Sequence, residues 1–192
     1  MDPEEVTQSL VLMSPAETSI AERRDARLRA LVGLHIDATA RVLRRLGVPN
    51  GDVDDAVQQV FLTLSRRLDD VGEGSERAFL YRTALHVAAH ARRSIARRRE
   101  VHDDDGEGPP SAAPTADETI DRKRAAVMLE SVLDAMTEDL REAFVLHEVE
   151  ELSMAQISEL LEIPSGTVAS RLRRAREEFR ERVARLRKGG LT

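Results

Sequence analysis

From His102 to Asp121 the chain runs through Asp103, Asp104, Asp105, Gly106, Gly108, Pro109, Pro110 and Pro114, with little apolar content beyond alanine. A stretch so composed buries too little surface to offset the entropy of ordering it, so a flexible linker is expected there. Folding must then happen twice, once on each side, in bodies small enough for a few helices to complete. The first residues carry no sustained pattern either. The expected plan is a flexible N-terminal extension (1–22), a first domain (23–100), an acidic linker (101–119) and a second domain (120–188).

Both domains read as all-α. Val53, Val57, Val60, Phe61, Leu64 and Leu68 recur at i, i+4, i+7, i+8, i+11 and i+15, the stripe of an amphipathic helix, with Asp52 as its expected N-cap. Its opposite face shows Asp54, Asp55, Gln58, Gln59, Arg66 and Arg67. Leu28, Leu31, Val32, Ile36, Val42, Leu43 and Leu46 trace one helix or a broken pair before it, and a third helix is expected from about Arg77 to Arg99. Beyond the linker, Val127, Leu129, Val132, Leu133 and Met136 mark one helix, and Leu140, Ala143, Phe144 and Leu146 a second. Ser153 with Gln156 forms a capping box that opens a third. After Glu162–Ser165, a long helix places Val168, Leu172, Ala175, Phe179, Val183 and Leu186 inward. Aromatics are only 3% of the chain, which disfavours a sandwich or barrel.

Charge refines the picture. The net value of −6 argues mildly against a nucleic-acid partner, but it is unevenly laid out. Residues 23–49 and 75–100 each hold seven arginines against two carboxylates, residues 165–192 hold nine basic side chains against three acids, and residues 101–121 hold seven acids and no base. The distribution, not the total, is the signal to follow. With no cysteine, a disulfide framework, an iron–sulfur cluster and a thiolate zinc site are excluded. No apolar run approaches membrane-spanning length and the N-terminus is acidic, so a soluble cytoplasmic protein without membrane insertion is expected.

The last two helices have the spacing of a helix-turn-helix, the first from about Ser153 to Leu161 and the second from Gly166. Opposite the apolar stripe of the second lie Gly166, Ser170, Arg173, Arg174 and Glu177, flanked by Thr167 and Arg171. Guanidiniums and hydroxyls displayed in this way suit guanine edges and phosphates in a major groove; a solvated arginine face on a core helix has the same pattern. Residues 77–99 form a second basic element that suits a nucleic-acid backbone or simply an exposed helix end. His86 and His90 are spaced i, i+4, but Val87 stands where a metalloprotease helix needs Glu and no third ligand is near. No Gly-rich phosphate loop, nucleophile elbow or carboxylate pair set in an apolar strand is present, so neither an enzyme nor a cofactor site is expected.

Three segments in order, Asp52-Val-Asp-Asp-Ala-Val-Gln-Gln-Val-Phe-Leu62, Phe79-Leu-Tyr-Arg82 and Pro164-Ser-Gly-Thr-Val-Ala-Ser-Arg-Leu-Arg-Arg-Ala-Arg176, resemble bacterial sigma factors of the sigma-70 family, in the small extracytoplasmic-function (ECF) group. The resemblance spans about residues 23–100 and 120–186. It implies a dissociable transcription-initiation subunit with no catalytic centre. Core RNA polymerase would be bound at its largest-subunit clamp helices through Asp54, Asp55, Gln58 and Gln59. The loop and helix matching Val71–Arg93 would capture the −10 element as a single strand, with Arg82, His86, Arg92 and Arg93 on the DNA. Thr167, Ser170, Arg171, Arg173 and Arg174 would read the −35 element as duplex, while the acidic linker threads the polymerase channel. An anti-sigma factor is the implied inhibitory partner and a monomer the implied free state.

The sequence departs from the family in places. Phe79 stands where members often carry Trp, His86 where they often carry Asn, Val71 where the loop often has an aromatic, Gln59 where Glu is frequent and Ala169 where Lys or Arg is usual. Two other readings compete with the resemblance: a helix-turn-helix regulator that binds duplex operators without polymerase, and a metal-dependent hydrolase using His86 and His90. The first leaves the 52–67 face without a purpose, and the second lacks a third ligand.

Overall fold

The computed structural model describes residues 15–101 and 117–189; the expected linker falls mostly outside them, as do residues 1–14. The described chain forms seven α-helices and no strand: α1 (Pro15–Arg45), α2 (Val53–Arg67), α3 (Glu76–Val101), α4 (Asp117–Asp134), α5 (Glu138–Phe144), α6 (Met154–Leu161) and α7 (Ser165–Gly189).

Helix α1 is continuous and starts inside the stretch expected to be an extension. Pro15 opens it at little cost, because the first amides of a helix have no intrahelical acceptor to lose. Its N-terminal half is then tied down by arginine: Arg23 donates to the Ser19 carbonyl (3.2 Å) and hydroxyl (3.0 Å), and Arg24 and Arg27 reach the loop between α2 and α3. Helix α2 follows the expected stripe closely, with Val53, Val57, Val60, Phe61 and Leu64 buried and Leu68 buried just beyond its end. Asp52 occupies the N-cap position, yet its side chain caps nothing. A 3-10 turn (Asn50–Asp52) leads into the helix and leaves Asp52 at φ −103°, ψ −2°, a helix-like backbone that does not aim the carboxylate at the following amides.

Helices α1, α2 and α3 pack around Val42, Leu43, Leu46, Val60, Leu64, Leu80 and Ala88, all nearly or wholly inaccessible. Ile36, expected inward, is 40% exposed. The second module packs α5 and α6 against α7 around Leu140, Leu146, Ile157, Val168 and Leu172, and Phe144 stacks on Phe179 with centroids 4.8 Å apart. Val127 and Leu186, read as core from periodicity, are exposed because α4 and α7 run past the body of the bundle there. Burying such apolar faces contributes about 25 cal/mol per Å² and holds each module together.

The chain leaves α5 through a wider turn, Val145–Val149, in which the Glu150 amide donates to the Val145 carbonyl five residues back (3.0 Å). Inserted turns of this kind re-aim the side chains that follow. Here the residue delivered is Glu150. No helix among the described residues is long and apolar enough to cross a membrane.

Candidate functional site

Three surfaces carry the residues singled out from the sequence. The first is the outer face of α2. Asp54, Asp55, Gln58 and Gln59 are all exposed, on the side opposite Val57, Val60 and Leu64. Among the described residues their side chains pair with nothing. Leu62 continues the same face one turn on and is 47% exposed. The sequence held the signal for it: Leu62 falls outside the stripe that buries Phe61 and Leu64.

The second surface is on α3. Arg82, His86 and Arg93 are exposed and line up along one side of the helix. Arg92 does not join them. At about 100° per residue it lies roughly 80° around the helix from that line, and its side chain is only 17% exposed. It donates to the Leu46 carbonyl at the end of α1 and pairs with Glu138 and, at 3.5 Å, Glu142 on α5. Ahead of α3, Val71 turns its side chain into the core, so the loop offers Asp69, Asp70, Gly72, Glu73, Gly74 and Ser75 to solvent.

The third surface is the helix-turn-helix. Ser153 and Gln156 make the full capping box, the Gln156 amide donating to Ser153 Oγ at 3.3 Å and the Ser153 amide to Gln156 Oε1 at 2.9 Å. Glu162 takes a left-handed conformation (φ 56°) to end α6. Ser158 then donates to the Ile163 carbonyl at 2.6 Å, and Thr167 and Val168 donate to the Pro164 carbonyl, which opens α7 at Ser165. On α7, Ser170, Arg173 and Arg174 are exposed and Thr167 is half-buried. Arg171 is held by Asp139 of α5 (2.8 Å), Arg173 by Glu177 (3.0 Å) and Arg176 by Glu148 (2.8 Å). Among the described residues no carboxylate pairs with Arg174.

The two modules also touch each other along α3, and nothing in the residue spacing indicated it. At one end Tyr81 donates its hydroxyl to Glu150, while Arg77 donates to the Tyr81 oxygen (2.9 Å) and the Glu150 carbonyl (2.8 Å). Burial and the bond to Glu150 push the Tyr81 phenol up to about 12. At the other end Arg141, 6% exposed, donates to the Leu46 carbonyl (3.2 Å) and to the Asp134 and Met136 carbonyls. Its burial lowers its pKa from the usual arginine value, and burial with the nearby Glu138 pushes Glu142 up to about 7. The Nε atoms of Arg92 and Arg141 are buried without a partner, beside a cleft of about 460 Å³. This contact is polar and incompletely satisfied, unlike the apolar core of either module.

Comparison with known proteins settles the family. Residues 31–99 match sigma-70 region 2 and residues 126–179 match sigma-70, region 4. The ECF RNA polymerase sigma-E factor of Escherichia coli K12 is 32% identical over 145 residues, covering 71% of this chain and 76% of that protein. The chain belongs to the ECF sigma factors of the sigma-70 family. The ECF RNA polymerase sigma factor SigE of Mycolicibacterium smegmatis is 28% identical over 156 residues, covering 81% of this chain, which spans 61% of that relative's length. Two solved structures share the fold. CnrH in complex with the cytosolic domain of CnrY has a TM-score of 0.62 at 24% identity, covering 83% of this chain and 89% of that one. RpoE in complex with the anti-sigma factor NepR, from Bartonella quintana, has a TM-score of 0.64 at 19% identity, covering 81% and 96%. The region 2 match falls within α1–α3 and the region 4 match within α4–α7.

Proposed function

We propose that this sigma factor binds core RNA polymerase through the outer face of α2, with Asp54, Asp55, Gln58 and Gln59 against the clamp helices of the largest subunit. Region 2 then holds the unpaired −10 strand along Arg82, His86 and Arg93, with Arg92 joining once its partners on α5 release it. Region 4 sits on the −35 duplex through Thr167, Ser170, Arg171, Arg173 and Arg174, with Arg174 reading bases and Arg171 exchanging Asp139 for a phosphate. Strand opening follows from differential binding: contacts with the opened strand that the closed duplex does not provide shift the equilibrium toward opening. The chain contributes position and charge, and catalysis belongs to the polymerase. An anti-sigma factor is the fitting inhibitor, since one of the structures of similar fold is a complex with such a protein. The acidic segment 101–119 serves as the tether between domains 23–100 and 120–188 and follows the polymerase channel.

The observation that carries this reading is the α2 face: four exposed polar side chains without partners among the described residues, on a helix whose other side is locked into the core. A duplex-binding regulator has no use for it. Pull-down of core polymerase, followed by run-off transcription on genomic fragments, tests the reading. Asp55→Arg is expected to abolish retention of core and to lower the transcript at least about tenfold while thermal stability stays within a degree or two. A wild-type protein that yields no promoter-dependent transcript with core polymerase would overturn the assignment.

A further inference from the structure

The segment joining α2 to α3, residues 68–75, leads directly into α3, the helix that carries Arg82, His86 and Arg93 along the unpaired −10 strand in the reading above. Leu68 and Val71 anchor its first half in the core through a 3-10 turn at Leu68–Asp70, but the half beyond them has no such anchor. Gly72 and Gly74 sit in it, Gly74 at φ +82°, and its own internal bonds are few: the Val71 amide on the Leu68 carbonyl (3.3 Å) and the Ser75 amide on the Gly72 carbonyl (3.1 Å). It is also acidic, with Asp69, Asp70 and Glu73 exposed, the wrong sign for a strand of phosphates.

Both deficits are met from α1. Arg27 places one guanidinium across the two ends of the segment. Its Nη1 donates to the Leu68 carbonyl (3.2 Å), and its Nη2 donates to the Val71 carbonyl (2.7 Å) and to Glu76 Oε1 (2.9 Å) at the first residue of α3. The pair is partly shielded, Arg27 being 32% and Glu76 14% exposed. The Arg27 bond, with backbone amides adding to it, keeps the Glu76 carboxyl below its ordinary range, so the charge that Arg27 needs is present at neutral pH. Arg24, three residues earlier on the same face of α1, donates to the Ser65 carbonyl and pairs with Asp69 at 3.0 Å, while Arg67 pairs with Asp70 at 3.0 Å. A lysine has one point charge and no fixed fork, and cannot span the same three oxygens.

We propose that Arg27 is a positioning residue for promoter opening: by stapling the exit of α2 to the entry of α3, it fixes the 68–75 segment in the shape that receives the unpaired −10 strand. Arg24 supports it by neutralising Asp69 on the side the strand approaches. The proposal rests on the sigma-factor reading and adds to it a residue outside every motif that carried the resemblance. Small displacements of a positioned group cost up to two orders of magnitude in rate-like quantities, so the effect is expected at opening and not at assembly.

The test compares holoenzymes assembled from full-length wild type, Arg27→Ala, Arg27→Lys and Glu76→Gln. Three quantities are measured: core affinity, retention on a duplex −35 fragment, and permanganate reactivity of −10 thymines on a promoter the wild type opens. Arg27→Ala is expected to reduce thymine reactivity at least about tenfold with core and −35 binding within twofold of wild type. Arg27→Lys should recover no more than a third of the lost signal, and Glu76→Gln should lose about threefold. Should Arg27→Ala fail to fold, the lysine and glutamine variants carry the comparison. Wild-type reactivity in all three variants overturns the proposal, as does a parallel loss of core affinity and opening, which would make Arg27 a plain stability residue. A wild-type holoenzyme that opens no promoter fails the sigma-factor reading itself, and is distinguished by needing no variant.

Discussion

Glu142 and Gly47 show how single residues set the terms of the contact between regions 2 and 4. Burial lifts the Glu142 carboxyl from 4.5 to about 7, with Glu138 adding to the lift and Arg92 opposing it. The folded protein therefore holds this proton more tightly than the unfolded chain does. The stabilisation linked to it is complete below about pH 4.5 and is lost as pH rises through about 7. Glu142→Gln keeps the shape without the charge, so it should match wild type in urea unfolding at about pH 4 and exceed it by about 2 kcal/mol at about pH 8. A constant difference across that range would contradict the assignment. Gly47 follows α1 at φ +87°, and a Cβ there would collide with the Arg141 guanidinium of region 4. Gly47→Ala should cost roughly 2–3 kcal/mol, about 1 of it from the left-handed backbone. Adding Arg141→Ala to it should remove the steric part, which a double-mutant cycle reads directly.

Among the helices, α2 has the plainest division of labour. Its buried stripe fixes the helix and its outer face is left for a partner, with Leu62 as the one large apolar side chain among polar ones. An exposed apolar side chain of this kind gains transfer free energy when a partner excludes water from it. Leu62→Ala should weaken core polymerase binding about tenfold and lower the melting temperature only slightly, because about half of Leu62 is already exposed in the free protein. Equilibrium binding by fluorescence anisotropy, paired with a thermal melt, separates this from a core defect such as Leu64→Ala, which should cost 2–5 kcal/mol of stability. Helix α7 divides less cleanly. Arg171, Arg173 and Arg176 are engaged by carboxylates of the protein itself, which DNA would have to displace on the proposed reading.

For the molecule as a whole, the arrangement described is one that promoter DNA would have to undo if the proposed function holds. Elements named −10 and −35 are about 25 base pairs apart, about 85 Å of straight duplex at ~3.4 Å per pair. Even the longest described helix, α1 with its 31 residues, spans only about 46 Å. Regions 2 and 4 cannot reach both elements while Glu138 and Glu142 hold Arg92 and Glu150 holds Tyr81 and Arg45. The contact has the composition of one that opens: charged, salt-sensitive, with two buried guanidinium Nε atoms unpaired. Replacing Glu138 and Glu150 together by Gln should raise the radius of gyration in X-ray scattering by several ångströms, and half-molar salt should do the same to wild type. Scattering that is unchanged in both would show that the modules are held by something other than these pairs.

The helices, the outward face of α2 and the helix-turn-helix were legible in the sequence, because amphipathic period, capping pattern and turn residues are local quantities that a single strand of text carries in full. Val53 to Leu68 and the Ser153–Gln156 box are the clearest cases. Asp52 shows the limit even locally, since cap chemistry depends on a backbone angle that residue type does not set. What only the tertiary structure decided is partnership at a distance. Arg92 looked like its neighbours Arg82 and Arg93 on the page, and what separates it is a carbonyl 46 residues upstream and a carboxylate 46 residues downstream. Arg27 looked like one more surface arginine until the α2–α3 segment was folded beneath it. An arginine's periodicity says which way it points; which oxygens wait there is fixed by how the helices pack.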